Sequence, residues 1–200
     1  EQWTRDNTIE SVSIIYATGY LANPASYYGH TLLKFNFKNS ETHSDLMDES
    51  VNYGAIVGDG DDPVTYIFKG IFGGYDGGFS HINFYFHNHN YGENELRDLW
   101  EDRLTLSEDA TQMVVEHAWE VLGQRYTYYF FRRNCAFRMA ELIDVTSDTS
   151  LLRQWRPWTI PQSLVQSLSS AKIDEKPILT DVRYLPSRQS RLYERYEQLS

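Results

Sequence analysis

The stretch "NPASYYGHTLLKF", Asn23 to Phe35, places a histidine directly after a glycine and at the head of an apolar run. Asn-Pro marks a break in regular structure. From His30 onward "HTLLKFNF" alternates partly and reads as a strand. A histidine between a small residue and a rigid strand suits a positioned base. Upstream, "SVSIIYATGY" (11–20) is rich in β-branched and aromatic residues and reads as a buried strand. Downstream, the polar turn "KNSETHSD", which holds His43, leads to a third strand, "SVNYGAIVG" (50–58), expected to pair beside the His30 strand.

The segment "VTYIFKGIFGGYDGGFSHINFYF" (64–86) mixes strand-like pieces with the four glycines of "GGYDGG". Those glycines predict a wide turn or close backbone approach, and "GGYDGG" is expected to form a mobile rim. The second half turns helical. "ENELRDLWE" (93–101) is expected to be a short helix. Thr105 and Glu108 fit a capping box ahead of a helix over 109–123, with Ala110, Met113, Val114, Ala118 and Val121 as its apolar stripe and Gly123 as its C-cap. Asn134 is the expected N-cap of a helix opening at Cys135, in which Met139, Leu142 and Ile143 recur at helical spacing. A short helix near Pro161 and a polar tail follow. The pattern predicts one α+β domain over residues 1–200, an antiparallel sheet with flanking helices, in which 146–200 form a helical and polar extension.

Composition bounds the function. Hydrophobic residues make up 41% and aromatics 15% of the 200 residues, enough for a globular core. A formal net charge of −10 argues against nucleic acid and against simple electrostatic adhesion to an anionic membrane. No apolar run reaches the roughly 18 residues of a membrane span. The one cysteine excludes an internal disulfide and a Cys-rich zinc site.

That cysteine is the second chemical feature. At the first turn of a helix, Cys135 meets partial positive charge and free N–H groups, which favour a thiolate. Arg132, Arg133 and Arg138 lie near it in sequence. A lone free cysteine is more often a small buried hydrophobe, so a thiolate needs a partner, usually a histidine. "HNH" at 87–89, with His81, is a weak metal signal, and no metal site is expected. His43 and His117 read as structural or exposed.

In order, "NPASYYGHTLLKF", "NYGAIVG", "KGIFGGYDGGFS", "ELRDLWEDRLTLS" and "YYFFRRNCAFRMAELI" resemble the Lnb N-terminal periplasmic domain family over about residues 12–145. The resemblance implies a permuted papain-like (NlpC-type) fold, similar to lecithin:retinol acyltransferase, with the histidine before the cysteine. It then implies Cys135 as thiol nucleophile and His30 as its base. Asn52 is the expected orienter of the ring, with Ser50, Glu49 and His81 as rivals. Tyr53, Tyr28, Asn134 and Ser26 are candidates to line the substrate or support an oxyanion. Arg97 and Trp100 read as structural. The implied activity is a cofactor-free acyl transfer from a phospholipid to the N-terminal amine of a bacterial lipoprotein. Its setting is the periplasm or cell envelope, facing a membrane. A cysteine hydrolase (phospholipase, thioesterase or peptidoglycan amidase) and a non-catalytic lipid- or cell-wall-binding domain are the alternatives. A lipid donor requires the Cys–His pair to open into a groove lined by tyrosines and phenylalanines.

Overall fold

The computed structural model describes residues 9–38, 44–58, 60–146, 151, 158–173 and 175–199, so His43 lies outside the described residues. The chain is α+β. Its centre is β2 (His30–Phe37), flanked by β1 (Ile9–Ala17) and β3 (Glu49–Ile56). β4 (Tyr75–Asn83) and β6 (Arg125–Tyr128) extend the sheet beyond β3. β5 (Leu99–Leu104) and β9 (Leu179–Leu185) extend it beyond β1. All neighbours in this order, β6-β4-β3-β2-β1-β5-β9, are antiparallel. Two short strands, β7 (Lys172–Ile173) and β8 (Lys176–Pro177), pair separately.

Both faces of the central strands are covered. Because strand side chains alternate, Val12 and Ile14 of β1, Leu33 and Phe35 of β2 and Val51 and Tyr53 of β3 share one core. Over them lie α3 (Glu108–Val121), α4 (Cys135–Thr146) and α5 (Pro161–Ser170). The alternate residues Ile15, Ala17, Leu32 and Leu99 pack with Phe84 of the short helix α2 (Phe84–Asn88) and with Tyr91 of a π-helical turn, His89–Asn94. Lys34 shares its strand parity with Leu32. It is 2% exposed and pairs with Glu101 at 2.8 Å and Asp48 at 3.3 Å.

Several sequence expectations are corrected. Residues 63–72 form a helix, α1 (Pro63–Phe72), rather than strand-like pieces. Asp62 accepts hydrogen bonds from the N–H groups of Val64 and Thr65, Pro63 sits at the first helical position, and Gly73 ends the helix. These signals at the ends outweigh the β-branched and aromatic interior. "ENELRDLWE" is not a helix: its second half enters β5, where Leu99, Glu101, Asp102 and Leu104 are buried. The N-cap of α3 is Ser107, whose hydroxyl accepts from the Ala110 N–H, so the Thr105–Glu108 capping box does not form. Thr105 instead donates its backbone N–H to the Ile178 carbonyl. The polar tail supplies β9, an edge strand of the main sheet, and α6 (Arg188–Glu197).

Nor is "GGYDGG" a mobile rim. Gly77 and Gly78 lie in β4, paired with β3 and β6. A Cβ on Gly77 would stand 2.2 Å from Oη and 2.6 Å from Cζ of the buried Tyr53. The glycine is there for close approach. Gly77→Ala is expected to lower the unfolding free energy by about 1–3 kcal/mol, the usual cost of overpacking, measured by urea denaturation.

Candidate active site

Asn134 sets the start of α4. Its Nδ2 donates to the carbonyls of Phe130 at 2.9 Å and Thr159 at 2.6 Å, while its Oδ1 accepts from the Phe137 N–H at 3.2 Å. The N-cap expectation therefore holds, and the expected oxyanion role does not. Both amide protons are spent on the backbone. Cys135 follows as the first residue of the helix and is 3% exposed. The N–H groups of Cys135 and Ala136 precede the first helical bond, Arg138 N–H to Asn134 O.

His30 begins β2 after Gly29, whose φ of +96° is natural only for glycine. A side chain on Gly29 would also meet the Ala17 carbonyl at 2.8 Å. His30 is half-buried, and its Nε2 lies 2.5 Å from Asn52 Oδ1. An amide oxygen only accepts, so Nε2 carries the proton and Nδ1 is the nitrogen available to Cys135. Asn52 reaches this place because it pairs with Leu32, two residues along β2 from the histidine. The rivals for its position are engaged elsewhere. His81 Nε2 meets Glu49 Oε2 at 2.7 Å, and the Ser50 hydroxyl donates to the Ile82 carbonyl at 2.6 Å.

Electrostatics tie His30 to Cys135. Burial pushes the Cys135 thiol up. The charge and hydrogen bond of His30, with smaller contributions from Thr31, outweigh it and bring the thiol down to about 7. Burial pushes His30 down. The Cys135 thiolate and the hydrogen bonds to Cys135 and Asn52 reverse this and raise the ring above its ordinary value. Opposite shifts on adjacent groups are what a thiolate–imidazolium pair produces.

The remaining residues separate. Tyr53 follows Asn52 on the strand and so points to the other face. It is fully buried in the core beneath α4, stacked on Tyr128 at 5.7 Å. Tyr28 is exposed and packs edge-on against Tyr27 and Phe131. Ser26 closes the turn before His30, its carbonyl accepting from Tyr20 and Gly29. Arg138 does not face the thiol: it pairs with Glu141 at 2.5 Å and lies over the Tyr126 ring at 3.9 Å. Arg97 is structural, donating to the carbonyls of Thr18 at 2.6 Å and Ala17 at 3.2 Å. Trp100 stacks with Tyr184 on the sheet's outer strands. The rings of His87 and His89 stack on Tyr91 and Tyr85, and no three metal-ligating side chains gather among the described residues. The expected aromatic groove over the thiol is not met, because Cys135 is covered. A polar cavity of about 100 Å³ lies elsewhere, between Lys34, Asp48, Glu101 and Arg183.

Two residues at the site escaped the sequence reading. Thr31 contributes to the thiol's acidity, and adjacency to His30 was its only signal. Tyr91 packs against the His30 ring at 5.9 Å and under the Arg97 guanidinium at 4.8 Å. Its place depends on the π-helical turn, which no local pattern announces.

The chain belongs to the Lnb N-terminal periplasmic domain family, which it matches over residues 1–171. The match is wider than the 12–145 that the motifs span. No curated protein and no solved structure matches the chain. Among the described residues no helix is long and apolar enough to cross a membrane.

Removing His30 should return the thiol toward its ordinary range. In His30→Ala the midpoint of iodoacetamide alkylation should move up from about 7, toward the ~8.5 of an unassisted cysteine. Asn52→Ala should move it part of the way, since it loosens the ring without removing it. An unchanged midpoint in His30→Ala would detach the histidine from the thiol.

Proposed function

We infer that this domain is a cysteine-dependent acyltransferase with a permuted papain-like fold, working in the periplasm against a membrane surface. The observation that carries the reading is the Asn52–His30 hydrogen bond, which orients the ring through one nitrogen, beside the reciprocal shifts of His30 and of a cysteine that opens a helix. Family membership supports the same reading.

The chemistry follows from the geometry. The Cys135 thiolate attacks the ester carbonyl of a phospholipid, forming a C–S bond. The oxyanion is met by the N–H groups of Cys135 and Ala136 at the start of α4. The C–O bond breaks, and the imidazolium of His30 gives its proton to the departing lysophospholipid. The α-amine of a lipoprotein's N-terminal cysteine then attacks the thioester. His30 takes the amine's proton, the C–S bond breaks, and the amide is released as the thiolate returns. No redox step or cofactor enters.

One observation favours a second reading. Cys135 is only 3% exposed, as a structural cysteine in a binding domain would be. Acyl transfer therefore requires the cover over the thiol to open when substrate arrives.

The test offers phosphatidylethanolamine vesicles with and without a peptide bearing a diacylglyceryl cysteine at its free N-terminus. Lysophospholipid should appear with the acceptor, alongside N-acylated peptide, and Cys135→Ser should abolish both. His30→Ala should cost about 10²–10⁴ in rate. Release without the acceptor would make the protein a hydrolase. No release, together with a thiol inert to alkylation, would make it a binding domain.

A further inference from the structure

Thr31 lies one residue from His30, is fully buried, and its hydroxyl has no hydrogen-bond partner of ordinary geometry among the described residues. A buried hydroxyl in that condition carries an uncompensated desolvation cost, and valine of nearly the same shape would avoid it. The strand's alternation shows where the hydroxyl points. Leu33 and Phe35, two and four residues along, share a core with Ala136 and Met139 of α4. Thr31 has the same parity and stands nearer the strand's beginning, opposite the first turn of that helix. The residue at that turn is Cys135.

We propose that the Thr31 hydroxyl is a hydrogen-bond donor to the Cys135 sulfur, a second side-chain partner of the thiolate beside His30. An anionic sulfur accepts from an O–H far better than a neutral thiol does. No other acceptor competes for that hydroxyl among the described residues. The thiolate then does not depend on the imidazolium alone. In the acyl-transfer reading, the same O–H would assist the second step, meeting the electron pair that returns to sulfur as the C–S bond breaks.

The inference concerns the thiolate at the site proposed above, and its test needs no acyl substrate. Alkylation by iodoacetamide is followed against pH in the wild type, Thr31→Val and Thr31→Ser, with melting temperature measured in parallel. Other titratable groups within electrostatic reach of the thiol are His30 of β2, Tyr128 of β6 and Tyr91 of the π-helical turn. Burial raises both tyrosines, so they stay neutral through the titration. Thr31→Val should raise the alkylation midpoint by about one pH unit, the scale of one hydrogen bond to a charged group. It should melt no lower than the wild type. Thr31→Ser, which keeps the hydroxyl, should titrate as the wild type does. A Thr31→Val profile that superimposes on the wild type would overturn the proposal. So would a Thr31→Ser midpoint displaced as far as that of valine, or a valine variant that melts well below the wild type, since the hydroxyl would then have a structural partner. Failure of acyl transfer leaves these readouts intact, so the two conclusions stand or fall separately.

Discussion

A single amide side chain decides where the thiol lies. Asn134 binds two carbonyls from separate parts of the chain, Phe130 and Thr159, and caps the helix that follows. Those bonds are made in a buried setting, where an unpaired amide would be costly, so the start of α4 has little freedom to shift. Cys135 is the next residue. A displacement there would move it relative to His30, on which the thiol's acidity chiefly depends. The asparagine does no chemistry, yet the chemistry has no fixed geometry without it.

The histidine side of the site is built by a different device. His30 begins a central strand, Asn52 comes from the neighbouring one, and antiparallel register brings them together. Register is set by the alternating apolar residues of β2 and β3, because a slip of one residue would turn both cores inside out. Core packing and site geometry are one constraint here. The cysteine is positioned by a cap and the histidine by a ladder.

Much of this was legible in the sequence, and the failures share a cause. The strands around Ile14, Leu33 and Val51, the helix at Cys135 and its Asn134 cap all announce themselves within a few residues. The His30–Asn52 pairing needed only the assumption that consecutive strands are neighbours. What was misread or passed over depends on distant partners. Tyr53 looked like a site residue beside Asn52, but its burial follows from α4 and from a glycine more than twenty residues away. Lys34 interrupts an apolar strand as an outward-facing residue would, yet both faces of that strand are covered. It is buried against carboxylates from β5 and from the turn before β3. Such a cluster is costly to desolvate, and no local pattern can reveal that its charges are matched. Residues 63–72 fail for a simpler reason: the end signals Asp62, Pro63 and Gly73 decide the helix, and interior propensity pointed the other way.

The family match stops at residue 171, but the sheet does not. β9, at 179–185, pairs along β5 from Leu99↔Leu185 to Leu104↔Leu179, and Asp98 accepts from the Ser187 backbone and the Ser190 hydroxyl just beyond. A chain cut where the family ends would leave the outer side of β5 as an open row of N–H and C=O groups. Trp100 would lose the Tyr184 ring that covers it. An exposed strand of that kind recruits whatever strand it meets, including its own copy. The unit that inheritance defines is therefore shorter than the sheet the chain builds, and the difference is a seven-residue strand that pattern alone reads as polar tail.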